Sequence, residues 1–150
     1  MVTPTPTPSG TERTRELLIA VRELIGASRT RLRETLDRLG LTVPLADALW
    51  ALDPALPAPS MKVLAGMLHC DPSSATFLVI RLERQGLTER VPDPADRRSR
   101  TVELTDKGVL VRGELIEAMV EQSPLAALSP KDQDATLRLL RKALGRAGRP

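Results

Sequence analysis

PSMKVLAGMLHCDPSSATFLVIRLERQGLTERVPDPADRRSRTVELTDKG, residues 59–108, is the stretch that decides the fold. Ser60 is placed to cap a short helix in which Val63, Leu64, Met67 and Leu68 are expected to face inward. His69-Cys70-Asp71 makes a turn, and Asp71 followed by Pro72 is a helix-start signature. The next helix is expected to run to about Gln85, with Ala75, Leu78, Val79 and Leu82 as its inward stripe. That leaves Ser73, Ser74, Thr76, Phe77, Ile80, Arg81 and Arg84 on or near the opposite face. Gly86 stops it. Leu87 to Val91 and Thr101 to Leu104 alternate as strands do, and the polar loop PDPADRRSR between them is too long for a two-residue hairpin turn. Two short helices, a strand, an arginine-rich loop, a second strand and a helix start describe a winged helix-turn-helix, mainly α with a small β-wing.

On the N-terminal side, Thr-Pro alternation over residues 1–10 withholds backbone donors and reads as a disordered tail. From Thr11 to Leu39 the residues Leu17, Val21, Leu24, Ile25, Leu32, Leu36 and Leu39 recur at threes and fours, the pattern of one long amphipathic helix. Gly40 ends it, and Thr42 is placed to cap a second helix carrying Leu45, Ala48, Leu49 and Leu52. Trp50 on that helix is expected to be buried, as a core or inter-helix anchor in preference to a ligand platform. DPALPAP, residues 53–59, has too many prolines for a helix and reads as a stiff connector. On the C-terminal side, Thr105-Asp106 caps a helix with Leu110, Val111, Leu115, Ile116, Met119 and Val120 that should not pass Pro124. Ser129-Pro130-Lys131-Asp132 opens a last helix with Leu137, Leu140 and Leu144 inside, and residues 146–150 fray.

A chain of 150 residues without internal repeats fits one domain. The net charge is +3, and lysine occurs only at Lys62, Lys107, Lys131 and Lys142, so 18 of the 22 basic residues are Arg. Arginine forks onto phosphate and guanine edges, although a GC-rich genome produces the same bias without any function. A single Cys70 rules out an internal disulfide framework, and with one His69 no soft metal cluster assembles within the chain. No apolar run reaches signal-peptide or bilayer length, so a soluble, cytoplasmic protein with no membrane partner is expected.

Ser73 to Arg84 fits what a major-groove reader needs, a short helix with small polar and Arg side chains on its outer face. Ser73 and Ser74 lie where free backbone N–H groups and the helix dipole favour phosphate, and Arg81 and Arg84 reach for phosphate or guanine. Ser60, at the start of the preceding helix, joins the candidate contacts. Arg97, Arg98 and Arg100 lie on a loop long enough to enter a narrow minor groove, whose negative potential attracts Arg. A merely solvated loop is the competing reading.

The "LA" of the short helix, LERQGL at the end of the second, DRRSRTVELTDKG across the wing and the closing LSPKDQDATLRLLRKAL resemble the MarR family of bacterial transcriptional regulators over Thr11 to Leu144. The most specific part is Asp96-Arg97-Arg98 followed by Val102-Glu103-Leu104-Thr105 and Gly108. The resemblance implies a homodimer with interlocked first and last helices (11–39 and 106–145) around a DNA-binding lobe (42–105), within one domain over 11–145. It implies recognition helices in successive major grooves of a palindromic double-stranded operator, with wings in the flanking minor grooves. Arg98 resembles the family's minor-groove arginine and Asp96 the acid that braces the wing, while Ser73, Ser74 and Thr76 match usual contact positions. Phe77 and Ile80 depart from the pattern, which has polar or basic residues there. Phe77 either packs on thymine methyls or folds into the domain or onto another surface.

Many members of the family are released from DNA by small aromatic molecules, so an effector is a further expected partner. Its site cannot be named from the sequence, and with one Trp, one Phe and no Tyr an aromatic-lined pocket is poorly supplied. Other members sense oxidants through cysteine. Cys70 has no second Cys to resolve it and reads as a structural thiol, and His69 as a turn residue. The expected function is therefore that of a dimeric, sequence-specific transcriptional regulator acting as a repressor. The alternative is a winged-helix interaction module that no longer reads DNA. No Gly-rich phosphate loop, nucleophile with a spaced base or metal-ligand spacing supports an enzyme, and neither a cofactor nor a metal is expected.

Overall fold

The structure, a computed structural model, describes residues 9–96 and 98–145. Most of the Thr-Pro tail (residues 1–8), the C-terminal tail (146–150) and the candidate contact Arg97 lie outside the described residues. The elements are α1 (Gly10–Leu39), α2 (Val43–Ala51), α3 (Met61–Met67), α4 (Pro72–Arg84), β1 (Thr88–Pro92), β2 (Arg100–Leu104), α5 (Asp106–Glu121), a 3-10 turn (Pro124–Ala127) and α6 (Pro130–Ala143). They form two compact units, Leu32–Glu121 and, among the described residues, 9–31 with 122–145.

The larger unit is the winged helix-turn-helix. Its main core joins Leu32 and Leu36 of α1 to Leu41, Leu45, Ala46, Ala48 and Leu49 around α2, Leu82 of α4, Leu87, and Leu115 and Ala118 of α5. A second cluster of Leu52, Leu64, Val79 and Val102 lies beneath the wing. The inward stripe expected on α4 is the one observed, with Ala75, Val79 and Leu82 buried and Leu78 half-buried. α3 and α4 meet at a bend of 102°, within the range usual for a helix-turn-helix. β1 and β2 pair antiparallel from Thr88↔Leu104 to Pro92↔Arg100. The connector adds a short third edge, since the Val102 amide donates to Pro59 O at 3.0 Å and Ser60 bridges Thr101.

Left-handed residues end four helices, Gly145 (φ 66°) among them after α6. Gly40 (φ 67°) and Gly86 (φ 71°) close α1 and α4 as the sequence suggests, with Leu41 N donating to Leu36 O and Leu87 N to Leu82 O. His69 (φ 51°) does the same for α3, and Cys70 N donates to Ala65 O at 3.1 Å. The turn between α3 and α4 is thus a helix cap built on a non-glycine residue.

Three expectations about faces and caps are corrected. Trp50 is 46% exposed, because the buried stripe of α2 runs through Leu45, Ala48, Leu49 and Leu52 and position 50 falls off it. Val63 and Met67, four residues apart, share the outward face of α3, while Leu64 is buried as expected, together with Ala65. Thr42 precedes α2 without a side-chain cap hydrogen bond.

The smaller unit contains the first turns of α1, the 3-10 turn and α6. α1 opens at Gly10 on a capping box in which Ser9 Oγ accepts from Glu12 N at 3.2 Å and Glu12 Oε2 accepts from Ser9 N at 2.7 Å. Ser129 caps α6, and Gln133 Nε2 donates to Leu125 O and Leu128 O, fastening the helix to the preceding turn. Leu17, Val21 and Ile25 on α1, Leu137 and Leu140 on α6 and Leu144 at its C-cap are all exposed in the single chain, and no residue of α6 is buried, so the inward placing expected of Leu137, Leu140 and Leu144 is corrected within one chain.

Candidate nucleic-acid interface

α4 presents an outward face of Ser73, Ser74, Phe77, Arg81 and Arg84, with Thr76 and Ile80 half-buried along its edge. Asp71 controls its N-terminus. The Asp71 carboxylate accepts the Ser74 amide (2.9 Å), the Ser73 hydroxyl and the Ser74 hydroxyl (2.6 Å). These bonds, the Ser73 hydroxyl first, hold the Asp71 carboxyl well below the usual carboxylate range. The anion seat expected at Ser73 and Ser74 is thereby filled by the chain's own carboxylate, and a phosphate placed there meets a like charge. Both hydroxyl protons are committed, so the two serines face outward through lone pairs. Thr76 Oγ1 donates to Pro72 O at 2.8 Å, which spends its proton inside the helix. Hydrogen-bond donors on this face therefore come from Arg81 and Arg84.

Because the folded-state pKa of Asp71 is depressed, its contribution to stability is present above the unfolded value and is lost as pH falls through the folded one. Asp71→Asn should flatten the loss of melting temperature that the unmodified chain shows below about pH 4. Identical profiles for the two proteins would contradict this capping role.

The wing is held from within. Asp96 Oδ1 accepts from Arg98 N at 3.0 Å, Asp96 O accepts from Ser99 N at 2.8 Å, and Asp93 N donates to Ser99 O at 3.0 Å. This turn leaves the Arg98 side chain exposed at the tip. Arg100 is folded back, with Nη1 donating to Arg90 O at 3.3 Å. Ser60 is half-buried, and its Oγ accepts from Val63 N at 3.3 Å. Among the described residues none of Arg81, Arg84 and Arg98 forms an ion pair.

Several positioning roles are not visible in the sequence. Arg90 grips Glu83 with two bonds (Nε to Oε1, 2.9 Å; Nη2 to Oε2, 2.8 Å), tying β1 to α4 and raising the Arg90 pKa further. Thr105 Oγ1 donates to Gly86 O (2.6 Å), Lys107 Nζ to Gln85 O (2.8 Å) and Gln85 Nε2 to Gly40 O (2.9 Å), so the end of α4 is clamped from two sides. A separate open concavity of about 560 Å³ beside α4 is lined by Pro44, Asp47, Leu68, Cys70, Phe77 and Leu78, among others.

The family model for the MarR family matches residues 41–99, which contain α2 through the wing tip. Over this stretch the chain resembles the MarR family. It is 38% identical over 72 residues to the uncharacterized HTH-type transcriptional regulator YkoM of Bacillus subtilis. That match covers 47% of each chain, so the chain spans about half the length of this relative. Across nearly the whole fold it is similar to a MarR family protein from Bacillus stearothermophilus, at 27% identity and a TM-score of 0.73, covering 92% of this chain and 97% of the other. It also shares its fold with the transcriptional repressor CouR bound to a 23-mer DNA duplex, at 23% identity and a TM-score of 0.73, covering 93% of this chain and 99% of that one. Among the described residues no single helix is long and apolar enough to cross a membrane.

Proposed function

We propose that this protein is a MarR-type regulator, a cytoplasmic, homodimeric transcriptional repressor that reads a palindromic operator and that a small molecule releases. The observation that carries the reading is the joint exposure of Arg81 and Arg84 on α4 and Arg98 on a braced wing tip, all within one compact unit and without acidic partners. The DNA-bound CouR structure supports it by analogy of fold. α4 enters the major groove, and Arg98 reaches the adjacent minor groove. Dimerisation is supported by the exposed leucines and branched residues of α1 and α6, at three- and four-residue spacing. The concavity beside α4 is the candidate effector site, because a ligand there presses on the recognition helix.

Selection of bound fragments from the source genome, followed by titration, tests the reading. Arg98→Ala should weaken operator binding and reduce the slope of log affinity against log salt by about one phosphate equivalent. An unchanged affinity and slope would remove Arg98 from the interface.

A further inference from the structure

We propose that Phe77 and Arg81 act as a single reading unit for a thymine followed on the same strand by guanine, 5′-TpG-3′, in each half-site. The inference rests on the DNA-binding reading above and adds what the recognition helix selects. Phe77 is the chain's single phenylalanine and is 58% exposed, while its neighbours Leu78 and Val79 take the inward positions. The ring borders the concavity beside α4 but is not buried by it, so its outer side is open to a base. One turn later the Arg81 guanidinium lies over that ring, with its central carbon 5.8 Å from the centroid.

A guanidinium that rests on an aromatic ring by its face keeps its in-plane N–H groups free to donate. The acids that could compete are engaged elsewhere: Glu83 holds Arg90 with both oxygens, and Asp71 holds Ser73 and Ser74. A pre-ordered fork matches the N7 and O6 acceptors of guanine, and an apolar ring matches the thymine 5-methyl group. In a 5′-TpG-3′ step that methyl stands beside the acceptor edge of the following guanine, so one stacked pair covers both features. The committed hydroxyl protons of Ser73, Ser74 and Thr76 strengthen the assignment, because they leave the arginines to supply donors on this face.

The group recognised on thymine is the methyl, which makes the proposal separable from general DNA affinity. Duplexes selected from a random pool by the full chain should carry a TpG step in each half-site. Uracil in place of that thymine should weaken binding about fourfold per half-site, the value of one buried methyl, and 5-methylcytosine paired with guanine should be tolerated at that position better than cytosine. Replacing the guanine should cost at least about fivefold. With Phe77→Ala the thymine and uracil duplexes should bind equally, and with Arg81→Ala the guanine preference should disappear, both variants melting like the unmodified chain. Enriched duplexes without TpG, or uracil insensitivity in the unmodified chain, would overturn this inference and leave DNA binding intact. Failure to enrich any duplex would overturn both.

Discussion

Replacing Leu137 and Leu140 together by Asp should give a monomer that still folds over Leu32–Glu121 but binds the operator about 10²–10⁴-fold more weakly. Both leucines are exposed on α6, so a carboxylate at either costs the isolated chain little. At an interface between copies, the same carboxylates are desolvated without partners, and that penalty is large. A monomer engages one half-site at a time and forfeits the effective concentration that ties the second recognition helix to its groove. Light scattering reads the assembly and a fluorescence titration reads the affinity. A double variant that remains dimeric would place the dimer contact elsewhere.

Gly108→Ala should destabilise the winged unit by about 3 kcal/mol, the upper end for overpacking. A Cβ at Gly108 would lie 1.9 Å from Leu87 O and 2.9 Å from Leu87 C, and backbone atoms cannot swing aside as a flexible side chain does. The same Leu87 carbonyl accepts from Thr105 N at 3.1 Å, next to the Thr105 Oγ1 bond to Gly86 O. Relief of the clash must therefore loosen the junction at which α4 passes into the wing. The midpoint of urea unfolding should fall and operator affinity should fall with it. Unaltered stability would mean that α5 can shift away from Leu87 freely.

What could be read from the sequence follows from periodicity and punctuation. The stripe Ala75, Leu78, Val79 and Leu82 repeats at helical spacing, and Gly40 and Gly86 mark helix ends whose left-handed backbone favours glycine. The family motif in the wing agreed with both. The exposure of Trp50 was hidden because a large aromatic is usually buried, and only the angular position of residue 50 on α2 reveals its face. His69 at positive φ gives no warning in a one-letter string. The capture of the Ser73 and Ser74 hydroxyls by Asp71 was legible as a helix cap, but its consequence for phosphate was not, because that depends on where both hydroxyl protons point. The Phe77–Arg81 stack has the right i, i+4 spacing, yet spacing alone does not distinguish a stacked pair from two side chains turned apart.

The most direct test of the central claim is a hydroxyl-radical footprint of the full chain on a duplex it has selected. The account predicts two protected half-sites with centres about 10 base pairs apart, flanked by minor-groove protections that Arg98→Ala removes. A single protected patch, or uniform protection unaffected by Arg98→Ala, would contradict it.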